Sequence, residues 1–347
     1  TMKNSEGSSS QAHAAKENSN AIQDDNTNPV ADWFSSLFGF VETDYETAKS
    51  KLYVAQDENG KDILKSRAAS DRSYLVGRFW TPSLSELRKV VTESEDVSKL
   101  KQAESALTLD FVYGDVSVLH ADEKFRHATF QAASQFNCLE FVHPDVTPED
   151  GISIYAGDRT QGPACSIACG AATAYRNYLH KWINAEDVPM EGQTKDNMLN
   201  NLADLQRLLG EPDGQQYFRV DGGYTFSGDH ELTALNQRFA SAFGAAEGNA
   251  YKDSIRVGVH EDVQVTSSRW GTRLDVPPGQ TVTQVFSSAC SIAYNKCNSL
   301  ELWEPLARLV LEASYEAVLY TALLAAARHG GGGGSRRGGL TLLGGGG

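Results

Sequence analysis

The sequence predicts an α/β protein with a mixed, mainly parallel sheet flanked by helices on both faces, led in by an N-terminal accessory segment and a disordered tail. Three observations carry that expectation. From Leu107 onward, short runs rich in β-branched and aromatic residues alternate with amphipathic helical stretches, the pattern of crossover connections that set strands parallel. One of those stretches, residues 302–328, is rich in Ala, Leu and Glu and is the strongest helix signal in the chain. Residues before about Asn28 are Ser, Asn, Gln, Ala and charge, with almost nothing apolar to offset the entropy of ordering them.

Taken in order, the first apolar cluster is Trp33, Phe34, Leu37, Phe38 and Phe40, whose spacing predicts a helical turn docked on a core. Residues 45–53 read as helix, Glu58-Asn59-Gly60 as a turn and 73–79 as a strand. Pro82 with Ser83 and Glu86 predicts a helix start, because Ser and Glu three apart can cap each other's backbone N–H groups. Strands are predicted over 107–113 and 128–133, and Gly162-Pro163 opens a long helix reaching Tyr178. Helices over 196–209 and 231–243 flank a turn-rich 210–228. Strands follow over 254–259, 263–266 and 281–293, then the 302–328 helix and a last strand over 340–343. The organisation expected is a tail over 1–32, an accessory segment over 33–106 and a main domain over 107–347 with an insertion at about 183–250.

The bulk chemistry excludes several functions. Lys and Arg number 31 against 45 Asp and Glu, so the net charge of -14 repels a phosphate backbone and speaks against direct nucleic-acid binding. No stretch reads as a membrane span, and the polar N-terminus lacks the apolar core of a signal peptide, so an intracellular protein, cytoplasmic or nuclear, is expected. The opening Thr1-Met2 suggests an extra leading residue or a fragment. Five cysteines without a CxxC pair suit reduced, buried thiols, and no metal site is expected. Cys165 and Cys169 share one helix face and read as core packing.

Four segments carry candidate chemistry. Gly157 to Ala164 is a polar loop entering a helix whose first turn is small, so Thr160, Gln161 and Gly162 leave the helix N-terminus open to an anion; tight packing on the sheet explains the same residues. Gly114-Asp115-Val116 closes a strand, and the Asp115 carboxylate suits an exocyclic amine, or simply a turn. The run Gln131-Ala132-Ala133-Ser134-Gln135-Phe136-Asn137 sets polar amides just past a buried strand, where ligands of such sheets sit, although amides also cap loops. Gly344, Gly345 and Gly346, past the last strand, offer backbone N–H groups to a phosphate or form a low-complexity end. His260 with Glu261 and Asp262 reads as an acid–base cluster or as a strand-end turn.

In this order the pieces resemble the macrodomain family and its poly(ADP-ribose) glycohydrolase relatives. The resemblance implies that Asp115 of Gly114-Asp115-Val116 holds an adenine amine. It also implies that Gln131-Ala132-Ala133-Ser134 stands where the family has Asn-Ala-Ala-Asn, and that Asp150-Gly151 with 158–164 forms the first loop. The 302–328 helix and the 340–347 stretch then take the place of the second phosphate loop, and the chain would be C-terminally incomplete. Both family asparagines are replaced here, and no paired glutamate precedes the helix.

The function so implied is binding of ADP-ribose or a related nucleotide diphosphate, with ADP-ribose or an ADP-ribosylated protein as partner and no cofactor. Hydrolysis of an ADP-ribosyl bond would draw on Asp158, Asp150 or Asn137 to orient water. A non-catalytic ligand-binding or scaffolding protein with a vestigial pocket is the alternative. A third class, another nucleotide-using α/β enzyme, finds neither a Walker motif nor a strand–GxGxxG–helix fingerprint.

Overall fold

The computed structural model describes residues 32–102, 108–184, 186–211, 214, 216–242, 246–295 and 299–344. The predicted tail therefore lies outside the described residues except for Asp32, as do Gly345 and Gly346.

The chain opens with α1 (Trp33–Phe38), whose start is capped by Asp32 accepting from Ser35 N, and α2 (Tyr45–Lys51), capped by Asp44. Strands β1 (Leu52–Gln56), β2 (Asp62–Ser66) and β3 (Ala69–Leu75) form an antiparallel sheet, and β4 (Arg78–Trp80) leaves it. The single strand predicted over 73–79 is thus two. It breaks at Gly77, whose φ of +73° and approach to the Glu261 carbonyl, where a Cβ would come within 1.9 Å, admit only glycine. Helix α3 (Leu84–Glu93) begins with the predicted reciprocal cap, Ser83 and Glu86 each accepting from the other's backbone N–H, and is followed by α4 (Glu95–Gln102).

Helix α5 (Val116–Ala121) leads to β5 (Thr129–Ala133). The helix predicted from Gly162 to Tyr178 is α6 (Gln161–Ala168) and α7 (Gly170–Ala174), parted at Cys169 and continued by a wider turn over Tyr175–Leu179. A hairpin of β6 (Lys181–Ile183) and β7 (Pro189–Glu191) precedes α8 (Ala203–Leu209). A second hairpin of β8 (Arg219–Asp221) and β9 (Tyr224–Phe226) then leads to α9 (Asp229–Ala242) and α10 (Ala246–Ser254). The chain ends in β10 (Gly258–Gln264), β11 (Thr281–Ser287), α11 (Leu300–Arg328) and β12 (Gly338–Gly339).

The main sheet runs β12-β5-β11-β10-β4. The two ladders at β5 are parallel and the two at β10 antiparallel, so the expected mainly parallel sheet is an even mixture. The reason lies between β10 and β11, which are joined by a loop without a crossover helix and therefore return antiparallel. Both faces are covered. On one, α11, α3, α8, α9 and α10 bury Trp303, Leu306, Val310 and Leu87 against Val259 and Val285; on the other, Phe130 and Val282 pack with Cys169 and Ala172 of the α6–α7 run. A further core joins Trp33, Phe34 and Phe38 of α1 to Ile167 and Ala171, Gly170 leaving room where a Cβ would strike Leu37 and Trp33.

Two predicted strands are absent. Residues 108–113 are irregular, with Leu109, Phe111, Val112 and Tyr113 between 61% and 98% exposed, because no strand offers them a ladder. At the end of the chain the pairing falls on Gly338–Gly339 and not on 340–343, where the Thr341 backbone is taken up by the side chains of Gln131 and Tyr315. Against the reading that nothing approaches a membrane span, α11 is long and apolar enough by length and composition; it carries buried residues of the core along its whole length.

Candidate functional site

Parallel strands leave their carboxyl ends open to whatever lies beyond the sheet. In β5 and β11 the register sets Ala133 beside Ser287, and the next step is tied by Ser134 N donating to Ser287 O at 3.0 Å. Three features meet here. Gln161, first residue of α6, lies along β5 as a side-chain substitute for a strand: its Nε2 donates to Gln131 O and its Oε1 accepts from Ala133 N, both at 2.8 Å. Gly162 then presses the helix onto the strand so closely that a Cβ would sit 2.0 Å from Ala133 O and 2.2 Å from a carboxylate oxygen of Glu140. That carboxyl, from Glu140 just past β5, is buried at the foot of α6.

Sequence reasoning passed over Glu140. The signal was present, since a lone acid in the apolar run Cys138-Leu139-Glu140-Phe141 directly after a buried strand has no reason to be there for packing. Its main chain is held by its N–H donating to Tyr155 Oη at 2.9 Å, but Oε1 is buried without a hydrogen-bond partner. Burial pushes its pKa well up and the charge of Asp158 pushes it further, against the opposing pull of Arg176. Desolvation thus holds the Glu140 carboxyl as a neutral acid, with the Asp158 side chain near enough to act on it electrostatically.

Arg176, fully buried in the turn after α7, is the cation whose charge acts on it. Its guanidinium lies 3.8 Å over the Phe286 ring and donates to Cys138 O at 3.2 Å, to Thr173 Oγ1 at 3.2 Å and to Ser166 Oγ at 3.4 Å. His260 Nδ1 faces it at 3.2 Å, which with burial drives the His260 pKa well below the usual range and keeps that ring neutral. His260 is therefore not in a cluster with Glu261 and Asp262, which turn away in a bulge between His260 and Val263. Ser287 Oγ and Ser288 Oγ join Glu140 Oε1 as buried polar atoms without a partner among the described residues at this end of the strand pair.

The predicted residues fall in different places. Asp115 caps α5, accepting from Ser117 N at 2.8 Å and Ser117 Oγ at 2.7 Å, and Val116 begins that helix against α6. Thr160 is the exposed residue before α6, and its N–H donates to Asp158 at 3.1 Å. Gln131 and Gly344 belong to the closing segment: Thr341 N donates to Gln131 Oε1 at 3.1 Å, and Gly344, at φ +72°, lies over Ala289. Asp158, Thr160, Gln161 and Gly162 thus gather around the start of α6 and the end of β5. Asp150 and Asn137 do not join them. Asp150 accepts from Thr147 N and Oγ1 in a separate short turn, and the Asn137 amide is committed to Leu139 N, Met198 Sδ and Gly222 O.

Among the described residues the thiols of Cys138, Cys165, Cys169 and Cys290 do not offer a nucleophile. Cys138 is pushed up to about 12 by burial, and Cys165 and Cys169 also lie well above the usual thiol range for the same reason. An open concavity of about 370 Å³ lies elsewhere, against Trp182 and Met190 of the β6–β7 hairpin. At the β5–β11 end the space is filled by the chain itself, α6 pressing on Ala133 from one side and 341–344 crossing from the other. Comparison of the chain with family models, with curated proteins and with solved structures finds no match.

Proposed function

We propose that this chain binds ADP-ribose or a related nucleotide diphosphate at the carboxyl end of β5 and β11, and that Glu140 serves hydrolysis of an ADP-ribosyl bond there. One observation carries the reading: Glu140, Ser287 and Ser288, at or just past the ends of these strands, each bury a polar atom without a protein partner among the described residues. Such atoms are costly, about 1–3 kcal/mol each, unless something else satisfies them. The order of elements supports the macrodomain-like assignment, with an Asp-capped helix before β5, a small-residue helix after it, and a long helix before the parallel β12. In this reading Asp115 meets the adenine amine, the start of α6 faces phosphate, Asp158 orients water and Glu140 hands its proton to the leaving oxygen.

The alternative, a binding or scaffolding protein with a vestigial pocket, is favoured by the segment 341–344 lying across Gln131. One set of titrations separates the two. Calorimetry with ADP-ribose should give binding that Asp115→Ala weakens more than tenfold, the loss expected for one charge-assisted hydrogen bond. Release of ADP-ribose from a modified protein should fall 10²- to 10⁴-fold in Glu140→Gln and in Asp158→Asn. Binding without release selects a non-catalytic ligand-binding protein; a wild type that ignores ADP-ribose removes the ADP-ribose reading and leaves the scaffolding one.

A further inference from the structure

At the opposite, amino end of the same strand pair, three segments far apart in sequence bring together His127, Asp262 and His329, whose nearest ligand-type atoms all lie within 4.8 Å of one another. His127 lies two residues before the first of β5, Asp262 sits in the bulge of β10, and His329 is the residue that ends α11. His329 Nε2 is 2.7 Å from Asp262 Oδ1, and the rings of His127 and His329 lie parallel, 3.8 Å between centroids and 10° between planes.

Each of the outer two is oriented by a neighbour. Thr281 Oγ1 meets His127 Nδ1 at 2.9 Å, leaving Nε2 as the other ring nitrogen, and Arg328 Nη1 donates to Asp262 Oδ2 at 3.0 Å, so that Oδ1 is the oxygen turned to His329 Nε2. Outer partners of this kind fix the tautomer and aim the ligand atom in metal sites. The backbone is also held against its preference, since His127 at φ 64° and Asp262 at φ 54° both occupy the left-handed region. A plain hydrogen-bonded end to α11 needs His329 and Asp262 alone. His127 has no part in such a cap, yet its ring is aligned on His329 at contact distance.

We propose that His127, Asp262 and His329 form a site for a divalent transition metal of the zinc class. Two imidazole nitrogens and one carboxylate oxygen suit zinc and its neighbours and not magnesium or calcium, which take oxygen. Three protein ligands leave a fourth position open, and side chains 22% and 28% exposed at His329 and Asp262 give an ion a way in.

The test uses the full chain freed of metal by a chelator. Zinc calorimetry should give one ion per chain, and cobalt should give a visible absorption band of tetrahedral type. His127→Ala and His329→Ala should each weaken zinc at least tenfold, and the double variant should abolish the cobalt band. Thr281→Val, which keeps the strand and removes only the partner of His127, should weaken zinc by roughly 10- to 100-fold. It decides the matter should a histidine variant fail to fold. Zinc binding unchanged in the double variant or in Thr281→Val places the ion elsewhere and overturns the proposal. So does a failure of the wild type to bind zinc, or calcium binding as tight as zinc. ADP-ribose binding is read separately, at the other end of the sheet, so either reading can fail alone.

Discussion

The two ends of the β5–β11 pair treat polar groups in opposite ways. At the carboxyl end, Glu140 and its neighbours are buried, with atoms left unpaired, and the acid is held neutral by desolvation. At the amino end His127, Asp262 and His329 are half-exposed, and each contacts another polar side chain. Burial leaves Glu140 costly and strongly perturbed, whereas the partial exposure of His127, Asp262 and His329 lets them pair with one another and with neighbouring side chains, in an order imposed by the geometry of the chain. The difference teaches that perturbed chemistry follows from desolvation, whereas convergence of ligands follows from topology.

Acid should break the buried side first, and this is the largest effect expected. His120, sealed between Val116 O and Gln284 and stacked on Phe130, is lowered to about 4 by burial, as is His180. Their folded pKa values lie below the unfolded value near 6.5, so the stability they preserve is complete above that pH and is lost as pH falls toward 4. His120 alone should account for about 3 kcal/mol, at about 1.4 kcal/mol per pH unit of separation. Urea unfolding at intervals from pH 7.5 to 4 measures it; stability flat over that range would mean the rings are protonated in the native protein.

The second effect is steric. Gly162→Ala should lose roughly 2–3 kcal/mol, because the new methyl meets Ala133 O and Glu140 on a strand and helix that cannot part without undoing the Gln161 bridge. Gly157→Ala, a few residues earlier, meets nothing within 4 Å and should stay within about 0.5 kcal/mol. Equal melting of the two variants would show that α6 is free to shift off the sheet, and the closed end of the comparison would then be open.

The smallest effect sharpens the role of Glu140. A carboxyl whose folded pKa is raised contributes fully below about 4.5 and loses that contribution as pH climbs toward its folded value. Glu140→Gln keeps the shape and cannot ionise, so it should flatten the pH dependence above 4.5 and stabilise the protein by about 1–2 kcal/mol at pH 8. Activity, where present, should fall while stability rises. A destabilised Glu140→Gln at pH 8 would mean that Arg176 already pairs a charged Glu140.

Much of the frame could be read directly. The caps at Ser83–Glu86, the β5 strand, the helix entered at Gln161 and the long α11 all depend on local patterns, which act within a turn or two of the chain. Residues 108–113 carry the same strand chemistry as β5 and remain irregular, because a strand exists only where another strand accepts its ladder.

The sites divide in the same way. Thr160, Gln161 and Gly162 were legible as a helix start, because helix starts have a chemical signature, whereas Asp115, expected to close a strand, caps α5. Asp150 and Asn137 carry the same residue chemistry, but the loops around them claim their polar atoms. Glu140 owes its altered acidity to the burial that α6 and Tyr155 impose, and no spacing encodes burial. His127, Asp262 and His329 are separated by long stretches of chain and meet only because β5, the bulge of β10 and the end of α11 are packed at one end of a sheet. The sequence by itself therefore determined the capped start of α3, the β5 strand, the entry to α6 and the long α11. Packing alone decided which polar groups lost their water and which came within reach of one another, because desolvation and convergence are properties of the assembled volume and not of neighbours along the chain.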